Sequence, residues 1–303
     1  MKIFIKESIP TEYIERLKQT FTNDTFVTTK DVDSEMIIAY PYEMNKPFLK
    51  DFKKLKHIQL LTSGYDLIDL DYLKNRKIHL YNAKDIYSIP IAEYVLANVL
   101  AFEKKVIDFN ERKKVQLWQN DIAVHDISGK TVGIIGAGDI GREIAKRFKT
   151  FETTVLGYKR TYETLDYFDA IYTSKDDLDK LVQTSDYIVI ALSLNEHTKH
   201  FIDKRLFKMM KPSALIINIA RGLIIHQEDL MDALDQNLIR GAILDVTTPE
   251  PLPKTHKLWT YPNVIITPHN SNLSHLTNQR LCNLFIKTIQ SIKENKIPNN
   301  QIV

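Results

Sequence analysis

The stretch that decides the fold of this chain is Thr131–Arg160, with the sequence TVGIIGAGDIGREIAKRFKTFETTVLGYKR. The apolar run 132–135 is short enough to be a buried strand, and the residues after it keep a helical spacing up to Phe148. A second strand pattern at 154–158 follows. The stretch therefore predicts a β-α-β unit.

Three glycines in this unit, Gly136, Gly138 and Gly141, have the spacing G-x-G-x-x-G. Between a strand and a helix, such glycines provide a tight turn, close approach to a pyrophosphate and close helix–strand packing. The helix N-terminus presents unpaired N–H groups that favour an anion. The sequence therefore predicts a dinucleotide site here, which also includes Asp139 and Ile140.

The end of the second strand indicates which dinucleotide binds. An NAD-binding unit usually has an acid about 20 residues beyond the glycines, where it binds the ribose diol. This chain has Lys159 and Arg160 there. Because Lys and Arg can pair with a 2′-phosphate, we expect NADP(H) to be preferred and NAD(H) to be possible. The alternative is that both cations are solvated residues at a strand end.

Composition and charge exclude several classes of protein. With 303 residues, of which 44% are hydrophobic, the chain is long enough for two domains. The net charge of +3 gives no electrostatic reason to expect nucleic acid or an anionic membrane as a partner. A signal peptide, an 18-residue apolar run and a second cysteine beside Cys282 are all missing from the sequence. We therefore expect a cytoplasmic protein. His197 and His200 have no Asp, Glu or Cys ligands beside them, so we expect no metal site.

Strand and helix patterns also alternate before the glycine-rich unit, which favours a doubly wound parallel sheet in each half of the chain. In the first half, the turn Ser63, Gly64 and Tyr65 follows a strand, and its N–H groups could hold a substrate carboxylate or form a plain turn. The pattern Ile89–Asn110 predicts one long helix, buried between domains or against a partner subunit. Trp118 is expected to be a packing anchor.

Four residues with catalytic chemistry, Arg221, Asp245, Glu250 and His269, lie at or just after the carboxyl ends of strand patterns. In a doubly wound sheet these ends face one crevice. His269 could donate a proton to a carbonyl oxygen during hydride transfer, and Glu250 could orient the ring and raise its pKa. Arg221 could bind the carboxylate of a 2-oxo acid, and Asp245 could accept from the nicotinamide carboxamide. The alternative is structural: an Arg221–Glu250 ion pair and a capping histidine.

These motifs resemble those of the D-isomer-specific 2-hydroxyacid dehydrogenases, a family that includes glyoxylate/hydroxypyruvate reductases and phosphoglycerate dehydrogenases. The resemblance covers nearly the whole chain. The matching pieces are VGIIGAGDIG (132–141), INIARGLIIHQEDLMDAL (217–234), GAILDVTTPEPLP (241–253), NVIITPHNS (263–271), SGYDLIDLDYL (63–73) and IPIAEYVLANVL (89–100).

The resemblance implies two doubly wound α/β domains. A flavodoxin-like substrate domain would comprise 1–88 and 272–303, closed by the C-terminal helix, and a Rossmann cofactor domain would comprise 89–271. The resemblance also implies that Arg221 binds substrate, that Glu250 is the partner of His269, that His269 is the acid/base, and that the cofactor domains form a homodimer.

The sequence departs from the family pattern at three places. Lys159 replaces the usual acid, which supports NADP(H). Ser193 stands where proline is common, which affects the wall on the adenine side. The polar run 270–272 replaces apolar and small residues, so the pocket polarity, and with it the substrate, is left open.

We therefore expect an NAD(P)H-dependent reductase of small 2-oxo acids such as glyoxylate and hydroxypyruvate, acting as a homodimer. The alternatives are a phosphoglycerate dehydrogenase-like enzyme that uses NAD and a dinucleotide-sensing protein similar to some transcriptional corepressors. The predicted cofactor contacts are Gly136, Gly138, Asp139, Ile140, Gly141, Lys159, Arg160, Leu192, Ile219, Ala220, Asp245 and Ser271. The predicted substrate contacts are Ser63, Gly64, Tyr65, Arg221 and His269.

Overall fold

The computed structural model describes residues 1–6 and 9–303. The chain divides into two compact units, which are Met1–Tyr87 with Ser274–Val303 (unit 1) and Ser88–Leu273 (unit 2). The junctions lie at 87/88 and 273/274, beside the expected domain limits at 88/89 and 271/272. Within the described residues, no helix combines the length and the apolarity that a membrane span requires.

Strands and helices alternate along both units. The strands are β1 (Lys2–Ile5), β2 (Thr25–Val27), β3 (Met36–Ala39), β4 (His57–Leu60), β5 (His79–Tyr81), β6 (Thr131–Ile135), β7 (Thr154–Tyr158), β8 (Ala170–Tyr172), β9 (Tyr187–Ile190), β10 (Leu215–Asn218), β11 (Gly241–Leu244) and β12 (Val264–Ile266). The α-helices are α1 (Thr11–Thr20), α2 (Lys46–Leu49), α3 (Leu70–Asn75), α4 (Ser88–Glu103), α5 (Val106–Lys114), α6 (Asp139–Lys149), α7 (Lys175–Thr184), α8 (Lys204–Phe207), α9 (Gln227–Asp235) and α10 (Thr277–Lys293).

Unit 1 contains a five-stranded sheet in the order β2-β1-β3-β4-β5, and all its pairings are parallel. Its central strand β3 has the sequence MIIA and is buried on both faces, as a strand covered by helices on each side must be. The core on one face includes Phe4, Ile37, Phe52 and Leu80. The unit is therefore an α/β layer with its own core.

Unit 2 contains a seven-stranded parallel sheet in the order β12-β11-β10-β9-β6-β7-β8. The chain starts in the middle at β6, runs outward through β7 and β8, and returns to β9 on the other side. The strand order thus reverses between β6 and β9, which is where doubly wound sheets bind ligands. The two parallel sheets confirm the fold class predicted from the sequence.

The expected long helix over Ile89–Asn110 is wrong, because two helices, α4 and α5, occupy this stretch. Between them Lys105 has a left-handed backbone (φ 54°). The end of α4 is fixed by Glu103, whose buried carboxylate pairs with Arg240 and accepts from the Tyr187 hydroxyl at 2.9 Å. The Glu103 carbonyl accepts from the His125 N–H at 3.0 Å, in place of the N–H group that a continued helix would offer it.

Candidate active site

The turn after β6 is shaped by its glycines. Gly136 has φ +112°, and a Cβ there would lie 2.5 Å from the carbonyl carbon of Ala191, so no other residue fits. A Cβ on Gly141 would lie 2.4 Å from the Gly136 oxygen, which means that α6 packs directly on the turn. A Cβ on Gly138, in contrast, would meet no atom of the described residues within 4 Å apart from its chain neighbours. The turn is tightly packed on its inside and open at Gly138.

The start of α6 fits a pyrophosphate at this open position. Gly138 is the N-cap, and a glycine has no side chain that could accept from the first-turn N–H groups, which include that of Ile140. Asp139 would place a negative charge there, but its carboxylate pairs with Arg142 one turn later. The sequence analysis did not single out Arg142 as the partner of Asp139, although an acid and a base at i,i+3 on a helix indicate such a pair.

The cations at the end of β7 are placed differently from each other. The Lys159 ammonium lies 2.6 Å from a carboxylate oxygen of Glu163, and its side chain is 22% exposed. The hydrogen bond from Lys159 lowers the pKa of Glu163. Arg160 is exposed. Sequence reasoning missed Glu163, which sits at the i,i+4 distance from Lys159 and competes for its charge.

Asp245 follows β11 and lies under the loop that carries His269. Its carboxylate, in a residue only 1% exposed, accepts from the Thr267 hydroxyl at 2.7 Å, from the Asn270 N–H at 2.9 Å and from the Ser271 N–H at 3.1 Å. The two oxygens of this buried carboxylate thus accept from one side-chain hydroxyl and two backbone N–H groups. Asp245 therefore holds the three-residue segment 269–271 against the end of the sheet.

His269 itself has a left-handed backbone, with φ 52°. This conformation is uncommon for a residue with a side chain and costs of order 1–3 kcal/mol at such sites. The His269 N–H donates to the carbonyl oxygens of Asp245 at 2.9 Å and Thr267 at 3.0 Å, which keeps the backbone in place. These two hydrogen bonds therefore fix the backbone position from which the imidazole projects.

The imidazole of His269 meets the carboxylate of Glu250. The Nδ1 atom lies 2.8 Å from Glu250 Oε2, and the other oxygen, Oε1, accepts from the Thr247 N–H at 3.1 Å. Since a carboxylate can only accept, Nδ1 carries the hydrogen of this bond, and Nε2 on the opposite side of the ring is left to exchange a proton. Both side chains are partly exposed, at 46% and 39%.

The two groups shift each other's pKa. The hydrogen bond to Glu250, aided by the charges of Glu250 and Asp245, raises the pKa of His269, although burial and the charge of Arg221 oppose the rise. Burial acts to raise the pKa of Glu250, but the hydrogen bond and charge of His269 outweigh it and lower that pKa. The pair thus favours an imidazolium next to a carboxylate, which is the state of a general acid.

Arg221 is held on a turn after β10. The Asn218 side chain accepts from the Ala220 N–H and donates to the Arg221 carbonyl oxygen, both at 3.0 Å. A Cβ on Gly222 would lie 2.0 Å from the Thr247 oxygen, so a glycine is needed where this turn touches the segment that carries Glu250. Sequence reasoning missed Asn218, whose signal is a polar residue that ends an apolar strand.

The remaining expected cofactor residues of unit 2 lie at the same edge of its sheet. Paired residues at the carboxyl ends of the strands are Ile135 with Ile190, Ile190 with Asn218, Asn218 with Leu244, and Leu244 with Ile266. Ile219, Ala220 and Ser271 are buried just beyond these ends, and Leu192 is partly exposed there. The edge thus carries both the glycine turn and the His269–Glu250 pair.

The model of the D-isomer specific 2-hydroxyacid dehydrogenase NAD-binding domain matches residues 96–271, which is more than half of the chain. The chain belongs to this family. Glyoxylate/hydroxypyruvate reductase B of Serratia proteamaculans is 32% identical, over 97% of this chain and 96% of that protein. Glyoxylate reductase of Pyrococcus horikoshii is 30% identical, over 98% and 94%.

A solved structure agrees with this assignment. The D-isomer specific 2-hydroxyacid dehydrogenase family protein of Aeromonas salmonicida superposes with a TM-score of 0.89 at 28% identity, over 100% of this chain and 98% of that one. The family resemblance seen in the sequence is confirmed. The chain is an NAD(P)-dependent 2-hydroxyacid dehydrogenase.

In this dehydrogenase the expected substrate residues of unit 1 form the turn after β4. The Ser63 hydroxyl donates to the Ala83 carbonyl at 2.9 Å, and the Thr62 hydroxyl donates to the Gly64 carbonyl at 2.7 Å. Within the described residues, nothing accepts from the N–H groups of Gly64 and Tyr65. That this turn and Arg221, which belongs to unit 2, form one site stays a prediction.

Proposed function

We propose that this dehydrogenase reduces small 2-oxo acids of the glyoxylate and hydroxypyruvate class to D-2-hydroxy acids and uses NADPH in preference to NADH. The observation that carries the proposal is the His269–Glu250 pair, with Nδ1 and Oε2 2.8 Å apart at the sheet edge that also bears the glycine turn. The two relatives of 30–32% identity are reductases of these 2-oxo acids by name, which supports the substrate class.

Bound reduced nicotinamide would supply the hydride that adds to the carbonyl carbon of the substrate. His269 gives the proton from Nε2 to the carbonyl oxygen, since its Nδ1 is held by Glu250. The resulting imidazole is stabilised less by the carboxylate than the imidazolium was, so reprotonation from solvent is favoured. Arg221 binds the substrate carboxylate and polarises the neighbouring carbonyl.

The N–H groups of Gly64 and Tyr65 are proposed as a second contact for the substrate carboxylate. A turn that presents adjacent N–H groups binds anions in this way. Its serine and threonine hydroxyls are engaged with carbonyl oxygens, so they fix the turn and do not compete with it for the anion.

The preference for NADPH is supported by the residues at the end of β7. No acid occupies the position after Tyr158, where a carboxylate would repel a 2′-phosphate, and Lys159 and Arg160 follow instead. The pairing of Lys159 with Glu163 limits the preference, because the phosphate has to compete with a carboxylate 2.6 Å from the ammonium. Asp245 and Ser271 stay proposed contacts of the nicotinamide end.

A homodimer through the cofactor domains is the proposed assembly. Trp118, which was expected to be a packing anchor, is fully exposed on this chain, so it does not pack against the core of its own chain. The other large exposed apolar residues of the segment 106–124 are Val106, Ile107, Val115, Leu117 and Val124. A concentration of this kind in one segment is typical of a surface that a partner covers.

The proposed function is tested by the kcat/KM values for glyoxylate, hydroxypyruvate and pyruvate, each measured with NADPH and with NADH. Turnover with NADPH favoured supports both parts of the proposal, and turnover with NADH favoured removes only the cofactor preference. The variant His269→Gln is the control, since it should bind cofactor and lose turnover. Binding of dinucleotide with no turnover of these or bulkier 2-oxo acids would favour a sensor. Oxidation of 3-phosphoglycerate with NAD, without turnover of glyoxylate, would favour a phosphoglycerate dehydrogenase.

A further inference from the structure

We propose that Tyr94 is a positioning residue for His269 and acts through Thr267 and Asp245. The inference rests on the proposed function, in which His269 is the proton donor. Tyr94 lies on α4 in unit 2, and its hydroxyl oxygen is 2.5 Å from the Thr267 hydroxyl oxygen. Thr267 in turn is 2.7 Å from Asp245 Oδ1.

The direction of these two hydrogen bonds follows from the chemistry of the groups. The Asp245 carboxylate oxygens accept from two backbone N–H groups, and Oδ1 also accepts from the Thr267 hydroxyl. The Thr267 hydroxyl therefore donates its single hydrogen to Asp245. It follows that the hydrogen between Tyr94 and Thr267 belongs to Tyr94. The chain of donors runs from Tyr94 to Thr267 to Asp245 in one sense only.

The tyrosine stays a donor over the whole working range of pH, because burial raises the pKa of Tyr94 to about 12. Its hydroxyl holds the Thr267 side chain in the rotamer that points to Asp245. Without that donor, Thr267 can turn and form other hydrogen bonds, and Asp245 loses one of its contacts.

The last step connects Asp245 with the imidazole. The carboxylate holds the N–H groups of Asn270 and Ser271, and the Asp245 carbonyl accepts from the His269 N–H. These bonds fix the left-handed backbone of His269, which places the ring 2.8 Å from Glu250. If the support is lost, the loop relaxes and the His269–Glu250 contact lengthens or is populated for less of the time.

The test is the variant Tyr94→Phe, which removes only the hydroxyl. We expect kcat for 2-oxo acid reduction to fall about tenfold, with KM for cofactor unchanged, because a displaced proton donor costs rate and not binding. The charged groups around His269 are Glu250, Asp245 and Arg221. Since the contact with Glu250 raises the pKa of His269, a looser contact lowers that pKa toward its ordinary value. We therefore expect the pKa of His269 in an NMR titration of the cofactor-free protein to be lower in the variant.

Substitutions of Thr267 test the chain of donors. Thr267→Val removes the hydroxyl and should match Tyr94→Phe in kcat and in the histidine titration, whereas Thr267→Ser keeps the hydroxyl and should restore both. Once Thr267→Val has removed the acceptor of the Tyr94 hydroxyl, adding Tyr94→Phe breaks no further hydrogen bond of this chain of donors. The kcat of the double variant Tyr94→Phe/Thr267→Val should therefore lie within about twofold of the Thr267→Val value, because coupled residues are not additive.

The control is Tyr187→Phe, which deletes another buried tyrosine hydroxyl of unit 2, one that donates to Glu103 at 2.9 Å. Tyr187 begins β9 and so lies at the opposite edge of the sheet from His269. The Tyr187→Phe variant should leave kcat and the NMR titration of His269 unchanged. A wild-type titration in Tyr94→Phe, additive effects in the double variant, or an equal change in Tyr187→Phe would each overturn the proposal. The titration needs no turnover, so a failure of the proposed function would be seen separately in the wild-type assay.

Discussion

At the scale of single residues, the pKa of His269 is the property that Glu250 controls. Reduction needs the imidazolium, so kcat/KM for a 2-oxo acid should be full below the pKa of His269 and decline as the pH rises through it. Since the hydrogen bond to Glu250 raises that pKa, Glu250→Gln should move this decline to lower pH. We expect kcat/KM at pH 8 to fall about tenfold or more, and the deficit to shrink toward pH 5.5. A pH–rate profile with an unmoved decline would separate Glu250 from the protonation of His269.

The second residue-scale prediction concerns Glu163. The Lys159 ammonium nitrogen forms an ion pair with Glu163 Oε2 at 2.6 Å, so Glu163→Gln should make the ammonium available to a 2′-phosphate. We expect KM for NADPH to fall about two- to fivefold, as for an exposed ion pair, with little change for NADH. Lys159→Gln is the matched variant and should raise KM for NADPH. If neither substitution changes the NADPH to NADH ratio of kcat/KM, the end of β7 does not select the cofactor.

The sequence predicted which residues lie near one another, and Glu250 as the partner of His269, but not the pairing of Lys159 with Glu163. Arg221, Asp245, Glu250 and His269 could be located because each follows a strand, and parallel strands end at one edge. Whether Lys159 is available to a phosphate depends on the rotamers of Lys159 and Glu163, which spacing alone does not specify.

At the scale of elements, local pattern was reliable where burial alone decides. Strand β7 has the predicted limits 154–158, since its apolar run coincides with buried positions. The helix over 89–110 was predicted too long, because its periodicity continues through Lys105. The break comes from distant partners of Glu103, namely Tyr187 and Arg240, which no window of local sequence contains.

The glycine turn gives the element-scale prediction. Gly138 has φ −90° and open space at its Cβ, so Gly138→Ala should leave Tm unchanged or slightly higher. If the pyrophosphate occupies that space, the methyl group should raise the Kd for dinucleotide about tenfold or more, since crowding a packed contact costs about 1–3 kcal/mol. Gly136→Ala is the contrast: its φ of +112° and the Ala191 backbone should lower Tm as well. Unchanged cofactor binding in Gly138→Ala would place the pyrophosphate elsewhere.

At the scale of the whole molecule, the sequence predicted two parallel sheets because strand and helix patterns alternate throughout. It did not predict the link between Tyr94 and Thr267, which are 173 residues apart in the chain and meet only once the sheet has formed. It predicted Trp118 as a packing anchor without saying where it packs, because an apolar residue in an irregular segment packs inside the chain or against another one, and composition does not distinguish the two.

The exposure of Trp118 provides the whole-molecule prediction. If a second copy of the chain covers the segment 106–124, Trp118 is an anchor of that interface, and truncating such a residue typically costs about 2–4 kcal/mol. Trp118→Ala should therefore raise the dimer dissociation constant by about 30-fold or more. Sedimentation velocity over a range of micromolar concentrations would measure it. The other tryptophan of the chain, Trp259, is 52% exposed in the 3-10 helix Lys257–Thr260. Trp259→Ala should leave the dimer intact. A wild-type monomer would remove the dimer proposal, whereas a dimer that persists in Trp118→Ala would move the interface to another surface.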